Sequence, residues 1–307
     1  MIELLAHYKD DKPVTDIDFR TYSWRALGSV GGVGSFHNAA DVYKGKMYIG
    51  GGNNSGLPSS TFYEYDVLAG VTTALSALPQ ALSGHIMKVV GDYMYVLCGM
   101  IDNNRTYTNV VRRYHLVDKT WEVMAPCPIN MCWGDACVIG TDIYMVGGAS
   151  AVATVEVPPE MYLYKYDTLA NTWTKITLAG ISPRIGNGVC LLNGSIYIMG
   201  GRYNRVFLKD FWKYTPSTGE LVQLADHPDP HGARFALFGV LKKVVNLCGQ
   251  LASDAPYRAT YQYYVEENRW ELCKNNTTFA YSANAWINNK FYLVGGRQST
   301  TNYEFAL

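Results

Sequence analysis

The stretch MYIGGG at 47–52 returns five times along the chain. It reappears as MYVLCG at 94–99, IYMVGG at 143–148, IYIMGG at 196–201, VVNLCG at 244–249 and FYLVGG at 291–296. The closing glycines, Gly52, Gly99, Gly148, Gly201, Gly249 and Gly296, are separated by 47, 49, 53, 48 and 47 residues. A fixed period near 50 residues marks a chain built from stacked supersecondary units.

Each unit repeats one internal order. An apolar run precedes the phrase and is joined to it by a tight turn: Lys44-Gly45, Gly91-Asp92, Gly140-Thr141-Asp142, Asn193-Gly194 or Asn288-Asn289. Such pairs supply the positive φ angles that two-residue hairpins need. A polar loop follows, then an aromatic strand such as Tyr162-Leu163-Tyr164-Lys165-Tyr166, a short turn, and a Trp at Trp121, Trp173 and Trp270. Four strands per unit predict propeller blades.

These marks, the diglycine after an apolar strand, the Tyr of the third strand and the Trp of the fourth, resemble the kelch repeat over nearly the whole chain. The resemblance implies an all-β, six-bladed kelch-like β-propeller with four antiparallel strands per blade. Cys98 and Cys248 stand where the first Gly of the pair belongs, and Thr72 and Leu221 stand where a Trp belongs. Cys98, Cys248, Cys137 and Cys190 read as small core residues.

The last unit stops at Tyr303-Glu304-Phe305 and lacks a fourth strand, while DFRTYSW at 18–24 matches DTLANTW at 167–173. The segment around 22–27 is therefore expected to complete the last blade and cover its edge. This divides the chain into an N-terminal arm, 1–15, and a single propeller, 16–307. Ile2, Leu4 and Leu5 give the arm an apolar patch suited to docking on a larger assembly.

Composition fits a β-rich chain with many turns. Of 307 residues, 48% are hydrophobic and only 17% charged, with 24 Tyr and 29 Gly. Lys plus Arg and Asp plus Glu both number 26, so the net charge is zero. That balance argues against nucleic acid as the partner. No run of about 18 apolar residues occurs, so no membrane insertion is expected. The charged start, MIELLAHYKDDK, lacks the apolar core of a secretion signal, so cytoplasmic synthesis is expected. Seven cysteines without zinc-like spacing point to free thiols, and no cofactor is implied.

In kelch-like rings the loop after the diglycine and the loop entering the first strand reach one face near the axis. Here the first set holds Asn53, Asn54, Asp102, Asn103, Arg202, Tyr203, Asn204, Arg297 and Gln298. The second holds His37, His85, Trp133, Asp135, Asn187 and Arg234. Polar and aromatic groups of both signs suit a protein partner or a glycan. His227 and His231 have a metal-like spacing, but Pro228 and Pro230 forbid the helix that would align them. No GxSxG, P-loop or HExxH is present. The leading expectation is thus a non-enzymatic binding or assembly module. Low charge with abundant Tyr, Asn and Gly is similar to phage virion accessory or host-attachment proteins. The enzyme alternative is a sialic-acid-type sugar epimerase using His37, His85, Asp135, Arg202, Arg234 and Arg297 for proton transfer and carboxylate binding.

Overall fold

The structure, a computed structural model, describes residues 17–29, 36–54, 56–150, 160–229, 236–250, 256–275, 283–294 and 301–306. Strands dominate, and the one helical turn among the described residues is the 3-10 turn Phe19–Thr21. Five blades are antiparallel sheets whose four main strands keep the order of the chain, and a further sheet is composite. The first blade carries a short extra strand at Leu57–Pro58, and the fourth an inserted hairpin of Arg202–Tyr203 and Val206–Phe207. The innermost strands of the five are Phe36–Tyr43, Ile86–Val90, Asp135–Ile139, Gly188–Leu192 and Ala236–Val240. The composite sheet joins Ala283–Ile287, Lys290–Val294 and Thr301–Ala306 to Ser23–Ser29.

The tight turns follow the sequence. Lys44-Gly45, Asn193-Gly194 and Asn288-Asn289 each place both residues at positive φ, as a type I′ hairpin requires. The fifth blade turns at Leu241-Lys242, with Leu241 at φ 56. No Gly or Asn announces that turn; the ladder pairing Val240 with Lys243 imposes it.

The core lies between blades rather than at a single centre. Tyr48, Phe62, Met87, Met94 and Tyr114 fill the space between the first and second blades. Ile143, Met145 and Tyr166 of the third blade pack on Tyr95, Leu97 and Val111 of the second. Each sheet is therefore buried on two faces, which explains the low charge of the chain.

The first Gly of the pair has a steric reason. A Cβ on Gly51 would stand 2.3 Å from His85 Cε1, and one on Gly147 would stand 2.0 Å from Asn187 Oδ1. His85 and Asn187 occupy equivalent positions in the next blade. Where Cys98 replaces the Gly, the equivalent position of the next blade is Gly134, which brings no side chain. Cys98 is 2% exposed and joins Cys127 and Met131 in the core.

The Tyr and Trp marks form a clamp between blades. Tyr166 stacks on Trp173 at 4.7 Å, and Tyr263 meets Trp270 at 5.1 Å. Trp173 Nε1 donates to Ala125 O of the preceding blade at 3.0 Å, while Ala125 N donates to Asn171 Oδ1 at 2.8 Å. Trp270, Asn268 and Ala225 repeat both bonds at 3.0 and 2.8 Å. In the second blade Lys119 occupies the Asn position at φ 61, and Trp121 Nε1 is buried without an acceptor. Asn tolerates the left-handed region far better than Lys. Lys119→Asn is therefore expected to raise stability by about 1 kcal/mol, read as a higher urea midpoint at unchanged slope.

The expected closure is present. Ser23–Ser29 runs antiparallel to Thr301–Ala306, with Ser23 opposite Ala306 and Trp24 opposite Phe305. Asp18 caps the Phe19–Thr21 turn by accepting from Arg20 N at 3.0 Å. Phe19 and Tyr22, 0% and 1% exposed, pack with Val245 and Leu247 of the fifth blade and Phe291 and Leu293 of the composite sheet. Lys243 Nζ donates to Ile17 O at 2.8 Å, and Tyr22 Oη donates to Asn289 O at 3.0 Å.

Candidate functional site

The innermost strands surround a channel with a cavity of about 490 Å3. Its mouth is framed by peptide groups. Gly84 N donates to His37 O at 2.9 Å, Trp133 N to Gly84 O at 2.8 Å, and Gly186 N to Trp133 O at 2.8 Å. All four residues are left-handed, with φ between 62 and 67. They are equivalent positions of four successive blades, so the belt passes from blade to blade.

Trp133 is the largest side chain on this belt. Its indole lies against Gly84, where an added Cβ would come within 2.6 Å of Cδ1 and Nε1. His37 and Tyr107 meet it edge to face at 6.0 and 5.9 Å. Tyr203 packs with it over a small core of Met100, Cys132 and Ile185. Sequence reading named His37, Trp133 and Tyr203 and missed Tyr107, which lies at the start of a strand rather than in a loop.

The expected entering positions do not share one register. His37 and Trp133 are equivalent, His85 and Asn187 sit one residue later, and Asp135 two residues later. The shift changes their surroundings. His85 is 6% exposed and Asn187 5%, wedged over the glycines of the preceding blade. Asn187 Nδ2 donates to Val146 O at 3.3 Å, and both ring nitrogens of His85 lack a partner.

Burial pushes the His85 pKa down to about 4. The unfolded ring takes a proton near 6.5, the folded ring only near 4. The unfolded state thus binds more protons between those values, and stability falls as pH drops through that window. His85→Asn, which copies Asn187, is expected to remove a loss on the order of 3 kcal/mol between pH 7 and pH 4. Urea unfolding of both proteins across that range checks it; parallel pH profiles would refute it.

The loop residues are mostly committed to holding their own turns. Asn53 Oδ1 accepts from Gly56 N at 2.9 Å. Asp102 accepts from Asn104 N, Thr106 N and Thr106 Oγ1 at 2.9, 3.0 and 2.7 Å, and the Thr106 bonds lower its pKa. Asn103 is exposed beside Gly56, and Asn204 is exposed in a left-handed turn. Arg202 is half-buried, with its peptide N bonded to Ile185 O at 2.9 Å. The side chain of Asn54 and all of Ile2, Leu4, Leu5, His231, Arg234, Arg297 and Gln298 lie outside the described residues. His227 is wholly buried, its ring edge-on to Tyr261 and Trp270 at 4.7 and 4.6 Å.

Below the mouth the channel wall is charged on one side. Asp41 accepts from Val42 N at 2.9 Å and, across the blade boundary, from Val89 N at 2.7 Å. Asp135 likewise accepts from Ala136 N at 2.7 Å and from Val189 N of the next blade at 2.8 Å. These carboxylates satisfy edge N–H groups that face the channel. Burial raises the Asp135 pKa against the opposing pull of Lys88 and the two N–H bonds. Burial opposes the charge on Lys88, but Asp135 and Asp41 outweigh it and raise its pKa. Cys137, on the same wall, is pushed up to about 12 by burial and is a poor nucleophile. Sequence reading named Asp135 as an entering position and Cys137 as a core residue, but neither Asp41 nor Lys88. Among the described residues no group of three His, Cys, Asp or Glu could hold a metal, and no helix is long and apolar enough to cross a membrane.

Repeated four-stranded blades around a channel, clamped by Tyr and Trp and opened by diglycines, define a repeat β-propeller. A family model for the KLHDC2/KLHL20/DRC7 Kelch-repeats domain matches residues 84–296, more than half of the chain, and the chain belongs to the Kelch-repeat family. It is 25% identical over 218 residues to Kelch-like protein terF of Aspergillus terreus, covering 64% of this chain and 46% of that protein. It is 24% identical over 236 residues to Kelch-like protein 15 of Danio rerio, covering 69% and 37%. Human Kelch domain-containing protein 3 is 27% identical over 182 residues, covering 54% and 47%. The matches span less than half the length of these relatives.

Proposed function

We propose that this propeller is a non-enzymatic binding module that grips a segment of a protein partner at the channel mouth. The observation that carries this reading is the aromatic group at the mouth. Trp133 and His37 stand on the belt of backbone hydrogen bonds, Tyr107 meets the indole edge to face, and Tyr203 packs on the same small core. A rigid aromatic anchor at the edge of a cavity is the arrangement in which one residue supplies much of the binding energy. Membership of the Kelch-repeat family supports the same reading.

Selection of a displayed random-peptide library on the purified protein tests it. Enriched peptides are expected to bind wild type and to weaken at least tenfold with Trp133→Ala, about 1.4 kcal/mol or more. Failure to enrich any peptide, or equal binding by the variant, would remove the proposal. Trp133-dependent hits on a glycan array instead would favour the glycan reading. The epimerase reading has weaker support: His85 is deeply buried and a weak base, and Asp135 is committed to two peptide N–H groups. The virion or host-attachment role, with Ile2, Leu4 and Leu5 as anchor, draws on sequence alone.

A further inference from the structure

Asp41, Lys88, Cys137, Cys190, Phe238 and Ala285 occupy the same position in successive innermost strands, and all six line the channel cavity. They form its waist, below the mouth. The waist runs acid, base, thiol, thiol, aromatic ring, methyl. Hydrogen-bonding groups lie on one wall, and Phe238, with Trp286 beside it, lies on the other.

The polar wall has an incomplete hydrogen-bond account. Asp41 and Asp135 commit each carboxylate oxygen to one peptide N–H, which leaves each oxygen a further lone pair. Lys88 is half-buried, and among the described residues it makes no hydrogen bond and no ion pair. Three ammonium donors therefore remain for something in the lumen. An ammonium removed from bulk water and left without acceptors is costly, so the waist calls for oxygen acceptors beside Lys88.

Charge narrows the occupant. Two carboxylates beside one ammonium leave the wall with an excess of negative charge, which disfavours an anion. The ammonium between the carboxylates disfavours a metal cation. An uncharged molecule rich in hydroxyl groups meets both demands, since each hydroxyl accepts from Lys88 or donates to a carboxylate. The C–H face of a compact ring would lie against Phe238 and Trp286. A volume of about 490 Å3 admits such a ring together with water.

We propose that the waist of the channel binds a small uncharged polyol of monosaccharide size, held by Lys88, Asp41 and Asp135 on one wall and by Phe238 and Trp286 on the other. The waist lies in the same cavity as the aromatic mouth, whose His37 and Trp133 also line it, but it is built from different side chains.

Saturation-transfer NMR on the full chain with myo-inositol and methyl α-D-glucopyranoside tests this, with acetate as the anion control. Saturable binding of at least one polyol is expected, weakened at least tenfold by Lys88→Met and unaffected by Trp133→Ala. Acetate is expected to show no saturable binding. If Lys88→Met does not fold, Lys88→Gln, which keeps a donor without the charge, is expected to retain weaker polyol binding. Saturable binding of neither polyol, polyol binding indifferent to Lys88, or acetate bound more tightly than the polyols would each overturn the proposal.

Discussion

Replacing Asp210 with alanine is expected to lower stability by about 3–5 kcal/mol, the loss seen when one partner of a buried ion pair is removed. Arg184 has no exposed side-chain surface. Its two terminal nitrogens reach the Asp210 carboxylate in a fork at 2.7 Å each, and Nε and Nη1 donate to Ser182 O and Gly200 O at 2.9 and 3.0 Å. Without Asp210 the guanidinium is held in place by carbonyls alone, and Trp212 Nε1 loses an acceptor at 2.6 Å. The cost is desolvation of an uncompensated charge, so salt should not reproduce it. The second blade has Leu82 and Val110 at the corresponding places. The double variant Arg184→Leu, Asp210→Val should therefore recover part of the loss, because two apolar groups replace the pair together. Urea midpoints of the wild type, the single and the double variant decide it. A loss under 1 kcal/mol in Asp210→Ala would mean that the arginine is not committed to this carboxylate.

Removing residues 1–27 is expected to abolish cooperative unfolding altogether. The deletion takes away Ile17, Phe19 and Tyr22, whose burial contributes about 1.5–3 kcal/mol each. It also strips the ladder along Thr301–Ala306 and exposes that edge. The combined loss is comparable with the whole stability of an ordinary domain, about 5–15 kcal/mol. A sharp wild-type-like melt of the truncated chain would contradict the closure. Removing 1–15 alone should leave the melt unchanged, which separates arm from clasp. A peptide covering 17–29, added to the truncated chain, should restore the transition.

What could be read from the sequence follows from where each constraint sits. The closure was legible because DFRTYSW and DTLANTW satisfy the same demands at the same place in a unit. The blades were legible because the diglycine, Tyr and Trp each answer a steric need that recurs. The Leu241-Lys242 turn was not, because the ladder forces it on residues without turn preference. The Arg184–Asp210 pair was hidden because its partners are 26 residues apart and apolar residues replace it in another blade. At the channel, a shift of one residue separates His37 on the mouth from His85 inside the wall. Composition and spacing carry no signal of that size. Of the polar waist only Cys137 and Cys190 were legible, as core. Asp41 and Lys88 were missed for the opposite reason, because they share a register but not a chemistry with the others.

The belt at the mouth has a consequence for how such a surface can change. Its links are made by main-chain donors and acceptors alone, and the chain is already bent to the left-handed region at each step. Side chains on it are consequently lettering on a fixed hoop. Histidine, glycine and tryptophan already occupy neighbouring steps without altering it. New letters can be written there with little effect on the hoop itself, provided they accept the backbone angle and clear their neighbours, as Gly84 must beneath the Trp133 indole. A ring of this kind can thus exchange one partner for another by drift at a few positions, while the blades beneath retain their sequence.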